Sequence, residues 1–114
     1  MSTDTKETPM WLVRRIYEVH PGQARKAATL IDKIGKAYEE AGSRGPSRVY
    51  FNSGTTPGEK NRVVMEWTDA SLETPYREDR IRVDVSEHGN ELSDIAINSE
   101  IEFWELMTDD KHLE

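Results

Sequence analysis

The sequence predicts an α+β fold of order β-α-β-β-α-β, an antiparallel four-stranded sheet with two helices on one face. Three observations carry that prediction. Four short segments rich in Val, Ile, Tyr, Phe and Trp alternate between apolar and polar residues, the period of a strand. Two other segments repeat their apolar residues at three- and four-residue steps, the period of a helix. Clusters of Pro, Gly, Thr and Asn separate most of these segments.

In chain order, Met10 to Val19 mixes Trp, Val, Ile and Tyr with charge and suits a strand. Pro21-Gly22 ends it. Ala24, Ala27, Ala28, Ile31, Ile34, Gly35, Tyr38 and Ala41 then form the stripe of an amphipathic helix of roughly five turns, with Gly42 as its stop. Its small residues permit close approach to a sheet. The loop Ser43 to Ser47 leads to a second strand, Arg48 to Ser53, and the turn GTTPGEKN leads to a third, Arg62 to Thr68. Pro75 interrupts any long helix in residues 69 to 80. Ile81, Val85, His88, Leu92, Ile95 and Ala96 restore a helical stripe, and Glu100 to Met107 reads as the last strand. This is the ferredoxin-like split unit, with strand order 4-1-3-2.

A chain of 114 residues supports one core, placed over residues 10–108. Residues 1–9 read as a disordered polar tail and residues 109–114 as a second tail. The terminal Leu113-Glu114 resembles what a cloning junction leaves and is set aside from function. A net charge of -7 with no basic cluster argues against nucleic acid as a partner. No apolar run approaches the roughly 18 residues of a membrane span, so no membrane partner is expected. With no cysteine there is no disulfide, thiolate metal site or cysteine nucleophile, and the cytoplasm is the expected compartment. The histidines are too scattered for a metal site, and no cofactor is expected.

Alternation divides each strand into two sets. The sets containing Phe51, Met65, Trp67 and Phe103 are the more apolar and are assigned to the helix side. The other face still carries Leu12, Ile16, Tyr50, Val64, Trp104 and Leu106. That is too much apolar surface for a small monomer, so a homodimer joined sheet to sheet with C2 symmetry is expected.

At the first strand-to-helix junction, Arg15-Ile16-Tyr17 followed by His20-Pro21-Gly22 forms an R-x-Y-x-x-x-P-G arrangement. With Trp67 followed by Thr-Asp-Ala-Ser-Leu-Glu, and the closing EIEFWEL, the chain resembles the dimeric α/β-barrel superfamily, and within it NIPSNAP-type domains, over roughly residues 10 to 108. That resemblance implies a dimeric barrel. The superfamily also contains cofactor-independent antibiotic-biosynthesis-type monooxygenases and haem-degrading monooxygenases. Where the former carry Asn and Tyr around this Trp, this chain has Val63 and Glu73. Where the latter carry Asn and His, it has Arg15 and Arg77. The resemblance therefore transfers neither activity.

The expected ligand site is the helix-sheet cleft, lined by Arg15, Tyr17, Trp67, Glu105 and Phe51, with His88 pointing down from the second helix. His88 reads either as a general base or as a hydrogen-bonded histidine at the core edge. Arg15 reads as the partner of Glu105 in a salt bridge or as a clamp for a substrate carboxylate. Arg14 is expected to meet Glu66 on the other face. Three functions stay open: binding of a small, flat, partly apolar molecule, a cofactor-independent monooxygenase or isomerase, and a purely structural dimerisation module.

Overall fold

The computed structural model describes residues 10–42, 45–70 and 84–113. The expected N-terminal tail, Pro75, Ile81 and the positions of Glu73 and Arg77 lie outside the described residues. The elements are β1 (Trp11–Val19), α1 (Ala24–Glu40), β2 (Ser47–Asn52), β3 (Arg62–Asp69), α2 (Ser86–Ile95), β4 (Ala96–Glu105) and a 3-10 turn at Asp109–Lys111. The strands form one antiparallel sheet in the order β2-β3-β1-β4. The fold is the ferredoxin-like α+β unit.

The turn between β1 and α1 follows from Pro21-Gly22. The Gln23 N–H donates to the His20 carbonyl at 3.0 Å while Gly22 takes a φ of 81°, a conformation in which a Cβ would be strained. α1 then buries Ala24, Ala27, Ala28, Leu30, Ile31 and Gly35. It stops where the Ala41 N–H reaches the Ala37 carbonyl at 3.1 Å and Gly42 adopts a φ of 76°. The loop between β2 and β3 is organised by Asn52, whose Oδ1 accepts from the Gly54 N–H at 2.8 Å and whose Nδ2 donates to the Thr56 and Pro57 carbonyls.

The core gathers Val19, Ile31, Leu30, Val63, Met65, Leu92 and Ile95, with the α1 alanines between helix and sheet. α1 packs on β2 and β3, and α2 packs on α1 and on β4. The helices therefore cover only part of their face. Met65 is buried and Trp67 packs against the core, but Phe51 and Phe103, assigned to the same face, are each 49% exposed. Alternation places them on the correct side of the sheet. Phe51 stands on the outer strand β2, Phe103 lies far along β4, and neither belongs to the buried core.

β2 and β3 shift by a single residue at their ends, and the last strand, expected over Glu100 to Met107, runs Ala96–Glu105. Ala96 belongs to β4, not to the second helix: its backbone is extended and it pairs with Val19. α2 thus passes into β4 with no intervening loop, and the junction is fixed by the His20 N–H on the Ile95 carbonyl at 3.0 Å. Within the polar C-terminal segment, Asp109–Lys111 form the 3-10 turn. Lys111 Nζ bonds the Leu106 carbonyl at 2.7 Å and Glu105 Oε2 at 2.9 Å, seating the 3-10 turn against the end of β4.

Candidate functional site

Strand register sorts the helix-side face into rows across the sheet. Phe51, Val63, Tyr17 and Ser99 make one row, and Val49, Met65, Arg15 and Ile101 the next. Ser47, Trp67, Val13 and Phe103 follow, then Asp69, Trp11 and Glu105. Of the expected site residues, Arg15 and Tyr17 stand together, about 7 Å apart along β1. Phe51 lies two strands from Tyr17, on the outer strand of the sheet.

Glu105 does not meet Arg15. It sits opposite Trp11, four residues and about 13 Å along β4 from the Arg15 row, and its carboxylate is taken by Lys111. The expected Arg15–Glu105 salt bridge is thereby corrected. Arg15 is half-buried and makes no ion pair with a carboxylate among the described residues. Its neighbour across β4, Ile101, is 43% exposed.

Beside this pair, an open cleft of about 280 Å³ runs between α2 and the first residues of β4. Tyr17 forms one wall, Leu92 and Ser93 of α2 another, and Ile97, Asn98 and Ser99 the third. Sequence reasoning missed the β4 contribution, having left residues 97–99 between elements. The signal was there: no Gly or Pro separates Ile95 from the last strand, and the alternation Ser99, Ile101, Phe103 runs unbroken. His88 is half-buried on α2, adjacent to the cleft residue Gly89, and its Nδ1 is buried with no hydrogen-bond partner. It is not itself among the residues lining that cleft. Asp84 sets the start of α2: its Oδ1 accepts from the Ser86 N–H at 3.0 Å and the Ser86 hydroxyl at 2.8 Å. The backbone bond, then the hydroxyl bond, holds this carboxyl below its ordinary range.

The helix-free face has a different character. Leu12 and Trp104 form one apolar row, and Tyr50, Val64 and Ile16 another. Trp104 is 54% exposed and Tyr50 49%. Between the rows, Arg14 Nε and Nη2 donate to Glu66 Oε2 at 3.3 and 3.2 Å, the pair expected from sequence. Among the described residues no cluster of metal-ligating side chains occurs, and no helix is long and apolar enough to cross a membrane.

A four-stranded sheet of order β2-β3-β1-β4 with both described helices packed on one face defines the class, a ferredoxin-like α+β domain. Solved structures share it. An uncharacterized NIPSNAP-like domain protein from Burkholderia xenovorans is similar at a TM-score of 0.63 and 20% identity, over 95% of this chain and 94% of that one. A NIPSNAP family protein from Agrobacterium tumefaciens gives 0.57 and 21%, over 92% and 99%. A dimeric protein of unknown function and ferredoxin-like fold from Bacteroides fragilis gives 0.62 and 10%, over 85% and 96%. At these identities the likeness is one of fold, and at that level the resemblance to NIPSNAP-type domains holds. No family model matches the chain, and no curated protein matches significantly.

Proposed function

We propose that this chain is a homodimeric domain that binds a small, flat, partly apolar molecule bearing an acid group on its helix side. One observation carries the ligand reading. Arg15 stands half-buried on a face only partly covered by helices, unmatched by any carboxylate among the described residues, between the exposed Ile101 and the cleft wall at Tyr17. A guanidinium so placed favours a carboxylate held by two parallel hydrogen bonds. Ile97 and Leu92 supply apolar surface for the rest of the molecule. The dimer is supported by the exposed aromatic residues of the helix-free face and by the dimeric neighbour from Bacteroides fragilis.

The test titrates the protein with aromatic carboxylates and with the matching amides, following tryptophan fluorescence. The acids should bind more tightly, and Arg15→Ala should lose that preference by roughly tenfold or more. Equal binding of acid and amide to the unmodified protein would refute the reading.

A second reading, a cofactor-independent monooxygenase or isomerase, is favoured by the unpartnered Nδ1 of His88 beside the cleft. A histidine ring nitrogen with no hydrogen-bond partner is a group that can accept a proton from a bound molecule. His88→Ala would abolish turnover in such an enzyme while leaving carboxylate binding within a few-fold. In a simple binding domain, only the small effect on binding would appear. A purely structural module would bind none of the acids.

A further inference from the structure

One level of the helix-free face crosses all four strands as Arg48, Glu66, Arg14 and Glu102. The charges alternate strictly from one edge of the sheet to the other. The inner two neutralise each other through the Arg14–Glu66 pair. The outer two do not. Arg48 is exposed on β2, and it makes no ion pair among the described residues. Glu102 on β4 accepts the Trp104 indole N–H at 3.0 Å but meets no cation among the described residues. Three strand spacings, about 14 Å, separate these two edges, so Arg48 and Glu102 cannot meet within one protomer.

We propose that the second copy docks with its two-fold axis along the strands, between β3 and β1, so that each Arg48 pairs with the partner's Glu102. This inference rests on the homodimer reading above and adds its geometry. A two-fold along the strands keeps each level and reverses strand order, laying β2 over the partner's β4 and β3 over the partner's β1. The row of alternating charges then meets its own complement at every position. The neighbouring level matches as well, because Val64 falls on the partner's Ile16 and Tyr50 on the partner's Glu100. A two-fold across the strands would instead set Arg48 on the partner's Arg48 and Glu102 on the partner's Glu102, and like charges brought together at an interface are unfavourable. Aligned sheets cross at about 30°, which displaces facing edge strands by about 4 Å, within the reach of an arginine side chain.

The test uses two single variants of the full chain, Arg48→Glu and Glu102→Arg, studied apart and mixed, with one of them mass-labelled. Circular dichroism and thermal melts establish that each is folded, and Arg48→Gln and Glu102→Gln serve as milder versions should either charge reversal fail to fold. Each reversal alone creates two like-charge contacts in its homodimer and should weaken dimerisation by roughly tenfold or more. The equimolar mixture carries a matched pair at both contacts. It should form a heterodimer within about threefold of the unmodified dimer's affinity, as judged by sedimentation and native mass spectrometry. The Gln variants should weaken the dimer less than the reversals do. Single variants that dimerise like the unmodified chain, or a mixture that fails to recover, would overturn the proposed axis while leaving the homodimer itself in place. An unmodified chain that is monomeric at tens of micromolar would overturn the homodimer reading too.

Discussion

Gly35 is buried on α1 against Ser47 of β2 and Met65 of β3, and replacing it with alanine sets two opposing effects against each other. Glycine in a helix interior costs about 1 kcal/mol relative to alanine, so Gly35→Ala gains that much from the backbone. The added Cβ would stand 2.5 Å from Ser47 Oγ and 3.1 Å from Met65 Sδ. The first contact is impossible without movement, and overpacking of this kind costs about 1–3 kcal/mol. The Met65 thioether is flexible and can yield, which leaves Ser47 as the obstacle. Its hydroxyl is buried without a hydrogen-bond partner, a state that itself costs about 1–3 kcal/mol. Ser47→Ala should therefore be neutral or stabilising alone, and Gly35→Ala alone should destabilise by about 1 kcal/mol. The double variant should exceed the unmodified chain by about 2 kcal/mol, because the remaining Ser47 Cβ contact of 3.5 Å is ordinary and the orphan hydroxyl is gone. Urea unfolding at one fixed protein concentration reads the difference as a midpoint shift on the order of 1 M between the double variant and Gly35→Ala. Additive effects of the two substitutions would refute the steric conflict, as would a Gly35→Ala variant more stable than the unmodified chain.

Ile31 is fully buried in the centre of the core, and Ile31→Ala should cost about 2–5 kcal/mol in the same urea assay. Asp84 has its carboxyl held below the ordinary value of 3.8 by its bonds to Ser86, so its contribution is present above that pH. That contribution fades as the pH falls through the lowered folded value. The stability gap between the unmodified chain and Asp84→Ala should therefore be constant from pH 7 down to about 5 and shrink in more acidic buffer. Lys111→Met removes the cation that bonds Glu105 and the Leu106 carbonyl, and hydrogen exchange should speed up at residues 106–112 while α1 stays protected.

The order of elements, the strand order and the face of each side chain were legible because alternation and helical period are local properties. The Arg14–Glu66 pair was legible for the same reason, with the added fortune that its register fell in step. Arg15 and Glu105 show the limit. They occupy the same face of neighbouring strands, but sliding one strand by two residues preserves every face while moving every partner. Alternation therefore could not fix the level at which Glu105 stands, nor that a lysine from the polar tail would reach it. Phe51 and Phe103 show a second limit, since the face of a side chain does not tell how far a helix extends over it. The cleft depends on both. It exists because β4 starts at Ala96, directly from the last turn of α2, a boundary with no Gly or Pro to mark it.

Whether two sheets pair through their helix-free faces is read by sedimentation of the unmodified chain beside Trp104→Glu. Trp104 is 54% exposed on that face and far from the helix-side core, so the substitution should leave the fold intact. The unmodified chain should sediment as a dimer at micromolar concentration and the variant as a folded monomer. Dimers of equal strength for both would rule out pairing through this face, and so would a monomer for both.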